Sequence, residues 1–425
     1  MRHVLFSLTF KFLFFYAAGQ SNLSVLSLKK KGDSLYYAGN YNEAITVYRV
    51  VAIQTDFRYK KANLFYNIGC CFSLQNDVDS AFYYLSIAVK NGYNNKDRLM
   101  ADRDLFKLHN LRPWQKLLST VKSIKTFNDD PLKAQFHTED IHHFWTAFEK
   151  AMRDTAHFKS IFKQLYFNAA SVGLKEYLGA KVGSMDDYIS IIRSMPKYYA
   201  SIKKNTLATD KMKPIFISIF QQVKILYPPS VFPDVYFLMG AFNAAGTVTP
   251  AGLLIGMDQE SKDATIPLDE LSNKRKAGLD DISILPLSIA HELIHYQQDG
   301  MKSSDTTLLA QSIIEGMADF LAELSGQSTV NLPQYKWAMG KEKFVWKRFK
   351  EEMYTTKTQG WIYLNDALSD DNPAMQGYWV GYQICKSFYE KADDKKKAIY
   401  DMLHIQDYKQ FLEQSGWEKK IESNY

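Results

Sequence analysis

The segment His291-Glu292-Leu293-Ile294-His295 sets two imidazoles four residues apart with a carboxylate beside the first. On a helix, that separation stacks both rings on one face, about 6 Å apart, which suits two corners of a zinc tetrahedron. Glu292 is not itself placed as a ligand. It stands where it can take a proton from a metal-bound water, whose pKa zinc brings to about 7. The surrounding run, Ser283 to Gln298, reads as a helix, with Pro286 near its start and Gly300 just past its end. Zinc needs a third protein ligand, and a second helical run, Thr307 to Leu324, offers Glu315 twenty residues after His295. Asp319 follows four residues later on the same face, placed to accept a hydrogen bond from a ligand imidazole. Gly316 and Ala318 are small enough to let the two helices pack closely. No cysteine lies near these residues, so a site closed by cysteines is excluded and a zinc site with an open position is expected.

The elements around this constellation read as follows. Met1 to Gln20 carries Arg2, His3 and Lys11 and an apolar stretch, Phe12 to Ala18, followed by small residues at Ala17 and Gly19. This is the pattern of a cleaved signal, residues 1–19, and the apolar stretch is too short to span a bilayer. No cysteine follows it, so the expected product is periplasmic or secreted, without a lipid on its N-terminus. The next hundred residues, 24–122, contain a repeat with an offset of 37, best seen by aligning Gly32 with Gly69 and Ala44 with Ala81. The pattern resembles the tetratricopeptide repeat, a two-helix unit of about 34 residues that stacks into a solenoid. Such a stack either grips a protein partner or only supports the next domain. Leu105, Leu108, Leu111, Trp114 and Leu117 are expected to cap it.

A polar, turn-rich stretch, Ser123 to Pro131, marks a boundary, and a second domain is expected over 130–425. Helical patterns run over Ile141 to Met152, Phe158 to Phe167 and around Tyr188 to Tyr199. Val235 to Met239 and Leu253 to Met257 read as two strands flanking a Gly-, Thr- and Pro-bearing connection, a β-hairpin. The expected fold class is mainly α with a small antiparallel β element: an N-terminal α-solenoid, then a helix-rich α+β domain.

Composition narrows the search. A net charge of +6, spread along the chain, gives no support to a nucleic-acid partner. Three cysteines, two of them the adjacent Cys70 and Cys71, exclude a disulfide scaffold. Of nine histidines, His3 leaves with the signal, and His109, His137, His142, His143, His157 and His404 lack ligand spacing. Only His291 and His295 remain.

The two motifs, with the longer strings AHELIHYQQ (Ala290 to Gln298) and IIEGMADFLAEL (Ile313 to Leu324), resemble the gluzincins. They are similar in particular to a bacterial family of Zn-dependent proteases. GYWVGYQICKSFYEK (Gly377 to Lys391) and GTVTPAGLLIGMD (Gly246 to Asp258) are similar to the same family. The resemblance implies zinc on His291, His295 and Glu315, with Glu292 as general base and Asp319 behind a ligand. It implies a metalloprotease acting on a peptide or protein substrate. Gluzincins stabilise the oxyanion with a downstream histidine or tyrosine, for which Tyr378, Tyr382 and, less aptly, His404 are the candidates. They hold peptides along an exposed strand, for which Leu253 to Met257 is the candidate. The expected function is an exported zinc-dependent metallopeptidase. The alternative is a non-catalytic, zinc-containing scaffold or binding protein of the cell envelope.

Overall fold

Among the described residues, helices predominate and four short strands form one mixed sheet. The computed structural model describes residues 24–122, 127–302, 304–326, 333–362 and 375–423. The expected signal, 1–19, lies outside them, as does part of the expected boundary at Ser123 to Pro131. No helix among the described residues is long and apolar enough to cross a membrane. The chain divides into two compact units, Met1–Ser123 with Leu178–Ile189, and Ile124–Tyr177 with Ser190–Tyr425.

The first unit opens with two helical hairpins, α1 (Val25–Tyr37) with α2 (Tyr41–Gln54), and α3 (Arg58–Leu74) with α4 (Val78–Lys90). Both hairpins turn through a left-handed residue at the same point of the 37-residue offset. Gly39 has φ +79° and Asn76 has φ +62°, and these two residue types tolerate that conformation best. The paired small residues bring the helices together. Gly32 faces the Tyr48 ring, Gly69 faces Leu85, and Ala44 and Ala81 are fully buried. Trp114 and Leu117, on α5 (Arg112–Thr120), join Leu105 and Leu108 in the core of the second hairpin.

Leu178–Ile189, from much later in the sequence, belongs to this unit. Gly179 meets Tyr59, Thr55 Oγ1 donates to Gly183 O at 2.9 Å, and Met185 N donates to Asp56 Oδ2 at 3.3 Å. The repeats therefore hold a segment of their own chain.

In the second unit, β1 (Phe136–His137), β2 (Val235–Leu238), β4 (Gly252–Gly256) and β3 (Gly246–Thr249) lie side by side in that order. β1 pairs with β2, and β2 with β4, in parallel; only β3 and β4 are antiparallel. This corrects the expected hairpin between Val235 to Met239 and Leu253 to Met257. Those two segments are parallel neighbours, and β4 makes its hairpin with Gly246–Thr249, residues assigned to their connection. β2 and β4 are buried throughout, as strands covered on both faces must be, whereas β3 is half-buried at the sheet edge. The loop after β2 is pinned by buried Asp258, whose carboxylate accepts from Gly240 N and Phe242 N at 2.6 Å each. It runs through Ala241 and Phe242 at φ +53° and +57°.

The helical stretches resolve with two breaks. Ile141 to Met152 lies within α6 (Glu139–Arg153). Phe158 to Phe167 is one turn of α-helix followed by a π-helical turn, Lys163–Phe167. The pattern around Tyr188 to Tyr199 is two helices, Met185–Ser194 and Pro196–Ser201, because Pro196 cannot continue the first and starts the second.

Candidate metal centre

The two motif helices are α8 (Leu285–Gln297), with proline at its first turn, and α9 (Leu308–Leu324). Thr307 caps α9, its hydroxyl accepting from Ala310 N at 3.2 Å. Gln297 ties α8 to the chain before β2, exchanging hydrogen bonds of 2.9 Å with the backbone of Val231. α9 is crossed by α11 (Gln376–Lys391) at very short range. A Cβ on Gly316 would stand 2.0 Å from Tyr382 N, and one on Gly381 would stand 1.7 Å from Ser312 O. Only glycine permits that approach, and it brings residues 315–319 of α9 against 378–382 of α11.

His291, His295 and Glu315 converge. The two imidazole Nε2 atoms lie 3.0 Å apart, and Glu315 Oε2 is 3.2 Å from His295 Nε2 and 3.5 Å from His291 Nε2. Ligands bound at 2.0–2.1 Å around a tetrahedral zinc stand about 3.3 Å from one another, so this triangle has the dimensions of one face of such a site. Each imidazole is oriented from behind through Nδ1, which is 2.8 Å from Asp319 Oδ1 for His291 and 2.7 Å from Gln298 Oε1 for His295. The donor set, its spacing and its backing all fit a divalent zinc ion on these three residues. Burial disfavours the imidazolium of His291, but Asp319 and Glu315 outweigh it and hold the ring well above its ordinary pKa. Burial likewise opposes charge on Glu315, yet His295 and His291 hold its carboxyl far below the usual range. Glu315 thus stays an anion facing positive charge.

Glu292 lies against the start of β3: a Cβ on Gly246 would be 2.0 Å from its Oε1. Two carboxylates absent from the sequence-based set stand close by. Buried Glu260 accepts from Ser288 Oγ at 2.9 Å, and burial together with Asp280 pushes its carboxyl up to about 8. Glu260 follows β4 and Asp280 follows the short helix Asn273–Ala277, both in irregular segments, so nothing in the local pattern marks them.

The two tyrosines of α11 separate. Tyr378 stacks its ring on that of His291 at 6.2 Å, and burial together with the nearby Glu315 carboxylate holds its hydroxyl pKa well above the ordinary value. Tyr382 instead donates to Glu323 Oε1 at 3.0 Å and packs edge-on against Phe320 and Tyr335. His404 is engaged elsewhere, with Nδ1 2.7 Å from Tyr400 O. His142 and His157 pair with Asp210 and Asp154, and His137 stacks on Tyr236. Leu253 to Met257, expected as the exposed strand, is covered on both sides by β2 and β3 and offers no free edge.

The family model described as gliding motility protein GldB matches residues 122–419, which contain every residue of this centre. No curated protein and no solved structure matches the chain. The match corrects the resemblance to a Zn-dependent protease family, and with it the metallopeptidase function and the protease designation. The physical reason is that H-E-x-x-H and E-x-x-x-D record how two helices present metal ligands. They do not record a reaction. The family model also carries a lipoprotein label, which overturns the expected periplasmic or secreted product without a lipid. A basic start followed by a short apolar stretch is common to both kinds of exported chain.

Proposed function

The chain belongs to the family of gliding motility protein GldB, and from that premise we propose that it is a non-catalytic, zinc-holding scaffold of the cell envelope that serves gliding. The observation that carries this reading is the extent of the family match, which takes in both motif helices, α11 and the whole sheet. In this reading, His291, His295 and Glu315 would hold the zinc, and its role is to cross-link α8 to α9. A single ion bound by two histidines of one helix and a glutamate of the other would tie together elements separated by a loop. The helical hairpins of the first unit would serve protein partners.

Glu292 discriminates this reading from hydrolysis, because a scaffold has no use for a general base. Wild type, Glu292→Gln and the double variant His291→Ala/His295→Ala should be returned to cells lacking the chain. Protein abundance and gliding speed are then measured. Glu292→Gln is expected to glide as wild type does, and the double variant to glide poorly. A Glu292→Gln protein that accumulates normally but fails to glide would overturn the non-catalytic reading. A double variant that glides normally would remove the zinc from it.

A further inference from the structure

Two residues outside the motifs stand directly behind the metal-facing set. Gln298 lies in the 3-10 turn that ends α8, and Tyr335 lies on α10 (Pro333–Ala338), a short helix after the α9 segment. We propose that Gln298 and Tyr335 are positioning residues that lock both imidazoles with Nδ1 protonated and Nε2 turned to the cation, and that Gln298 sets the cation affinity at His295. The inference rests on the zinc-holding reading above and deepens it.

The tautomer follows from what each neighbour can donate. Gln298 Oε1 is 2.7 Å from His295 Nδ1, while its amide nitrogen donates to Ile314 O at 2.9 Å and lies 3.7 Å from Met317 Sδ. Turning the amide over would set its oxygen against the Ile314 carbonyl oxygen, two acceptors face to face. The carbonyl of Ile314 therefore fixes the amide, and the amide oxygen, an acceptor only, requires a proton on Nδ1 of His295. On the other ring, Asp319 Oδ1 is 2.8 Å from His291 Nδ1, and Asp319 Oδ2 accepts from the Tyr335 hydroxyl at 2.5 Å. That hydroxyl engages one carboxylate oxygen and so points the other at the imidazole. Tyr335 is buried and touches neither ligand ring in this role; it acts through Asp319.

The two rings are thus backed unequally, His291 by an anion and His295 by a neutral amide. An anionic partner raises ligand basicity more than an amide does, and removing such partners weakens metal binding by about 10- to 100-fold. The amide side is the weaker of the two, and it is the one that a single substitution removes without deleting a charge.

Zinc affinity is measured by competition with a chromophoric chelator on the full chain for wild type, Gln298→Leu, Gln298→Glu and Tyr335→Phe. The histidine Nδ1–H protons are followed by NMR in the zinc-loaded proteins. Gln298→Leu is expected to bind zinc about 10- to 100-fold more weakly and to lose the slowly exchanging Nδ1–H of His295. Gln298→Glu, which keeps the acceptor, restores both. Tyr335→Phe deletes one hydroxyl only and broadens the His291 proton with a smaller loss of affinity. Gln298→Leu and Gln298→Glu both lack the donor to Ile314, so a defect that comes only from loosening the two helices would appear equally in both. That result would overturn the proposal, as would wild-type affinity in Gln298→Leu. A wild-type chain that takes up no zinc at all would instead sink the zinc-holding reading, and this inference with it.

Discussion

Both units use glycine to bring helices together, but what opposes each glycine differs. In the repeats, a Cβ on Gly32 would meet the Tyr48 ring at 2.7 Å, and one on Gly69 would meet Leu85 Cγ at 2.8 Å. These are side-chain atoms, which can shift by a change of rotamer where backbone cannot. In the metal unit, the obstacles at Gly316 and Gly381 are the backbone atoms Tyr382 N and Ser312 O, at 2.0 and 1.7 Å. Backbone inside two crossed helices has nowhere to go. The repeats are therefore packed by adaptable contacts, and the metal unit by a fixed crossing that holds Glu315 and Tyr378 in place.

The largest effect is expected where that difference is tested directly. Gly381→Ala must push α9 and α11 apart, and the cost lies beyond the usual overpacking range, about 4 kcal/mol or more. Gly69→Ala faces a movable leucine and gains about 1 kcal/mol of helix propensity, so its net cost is about 1 kcal/mol. Urea unfolding of the two variants measures both. Equal losses would show that the two crossings are equally rigid and would break the comparison.

A second contrast concerns buried charge. In the second unit the half-buried imidazoles of His291 and His295 face carboxylates. In the repeats, Lys60 on α3 is 1 % exposed, and its Nζ has no hydrogen-bond partner among the described residues. Burial, with Lys29 nearby, lowers its pKa to about 8. The folded value lies below the ordinary 10.5, so the unfolded chain binds more protons between those limits, and stability rises with pH across about 8 to 10.5. Below pH 8 the full cost of charging the buried amine is present, about 3 kcal/mol. Lys60→Met is expected to stabilise the protein by about that amount at pH 7 and by little near pH 10.5. Unfolding free energies at the two pH values decide it. A gain that does not shrink with pH would mean that Lys60 is not the cause.

How far the sequence reveals such features depends on how local they are. His291, His295, Glu315 and Asp319 were legible because a spacing of four on a helix is local and survives any arrangement of the rest. Tyr378 and Tyr382 share the same spacing on α11, yet only Tyr378 reaches the cluster of His291, His295 and Glu315, because the rotation of α11 is set by Gly377 and Gly381 against α9. Gln298 and Tyr335 were missed: one sits past the end of the helix, and the other forty residues away on an element of its own. The parallel pairing of β2 with β4 was missed for a different reason. Strands that follow one another usually pair as hairpins, and here β3 takes the edge and leaves β2 to the far side of β4. The held segment Leu178–Ile189 has no repeat character, so the period of the first unit said nothing of it.

The smallest effect is expected at a cluster that mimics the metal centre. Among the described residues, two groups bring three possible ligand atoms within 4.8 Å of one another: His291, His295 and Glu315, and Cys70, Asp102 and Asp104 in the repeats. The second group is already satisfied. Asp102 Oδ2 accepts from the Tyr66 hydroxyl at 2.5 Å, Asp102 Oδ1 accepts from Asp104 N at 3.1 Å, and the Tyr36 hydroxyl donates to Asp104. The Cys70 thiol is held protonated, with burial and the neighbouring Asp102 and Asp104 raising its pKa. A metal would have to displace two phenols and ionise a buried thiol, whereas at the first group only the Nε2 side of each imidazole is needed and it is already turned inward. Zinc content by elemental analysis is therefore expected to stay at one per chain in Cys70→Ser and Asp102→Asn and to fall to none in His291→Ala. Two zinc ions in the wild type, one of them lost in Cys70→Ser, would show that phenol caps do not exclude a metal. The distinction between the two clusters would then have to rest on something other than unclaimed donor atoms.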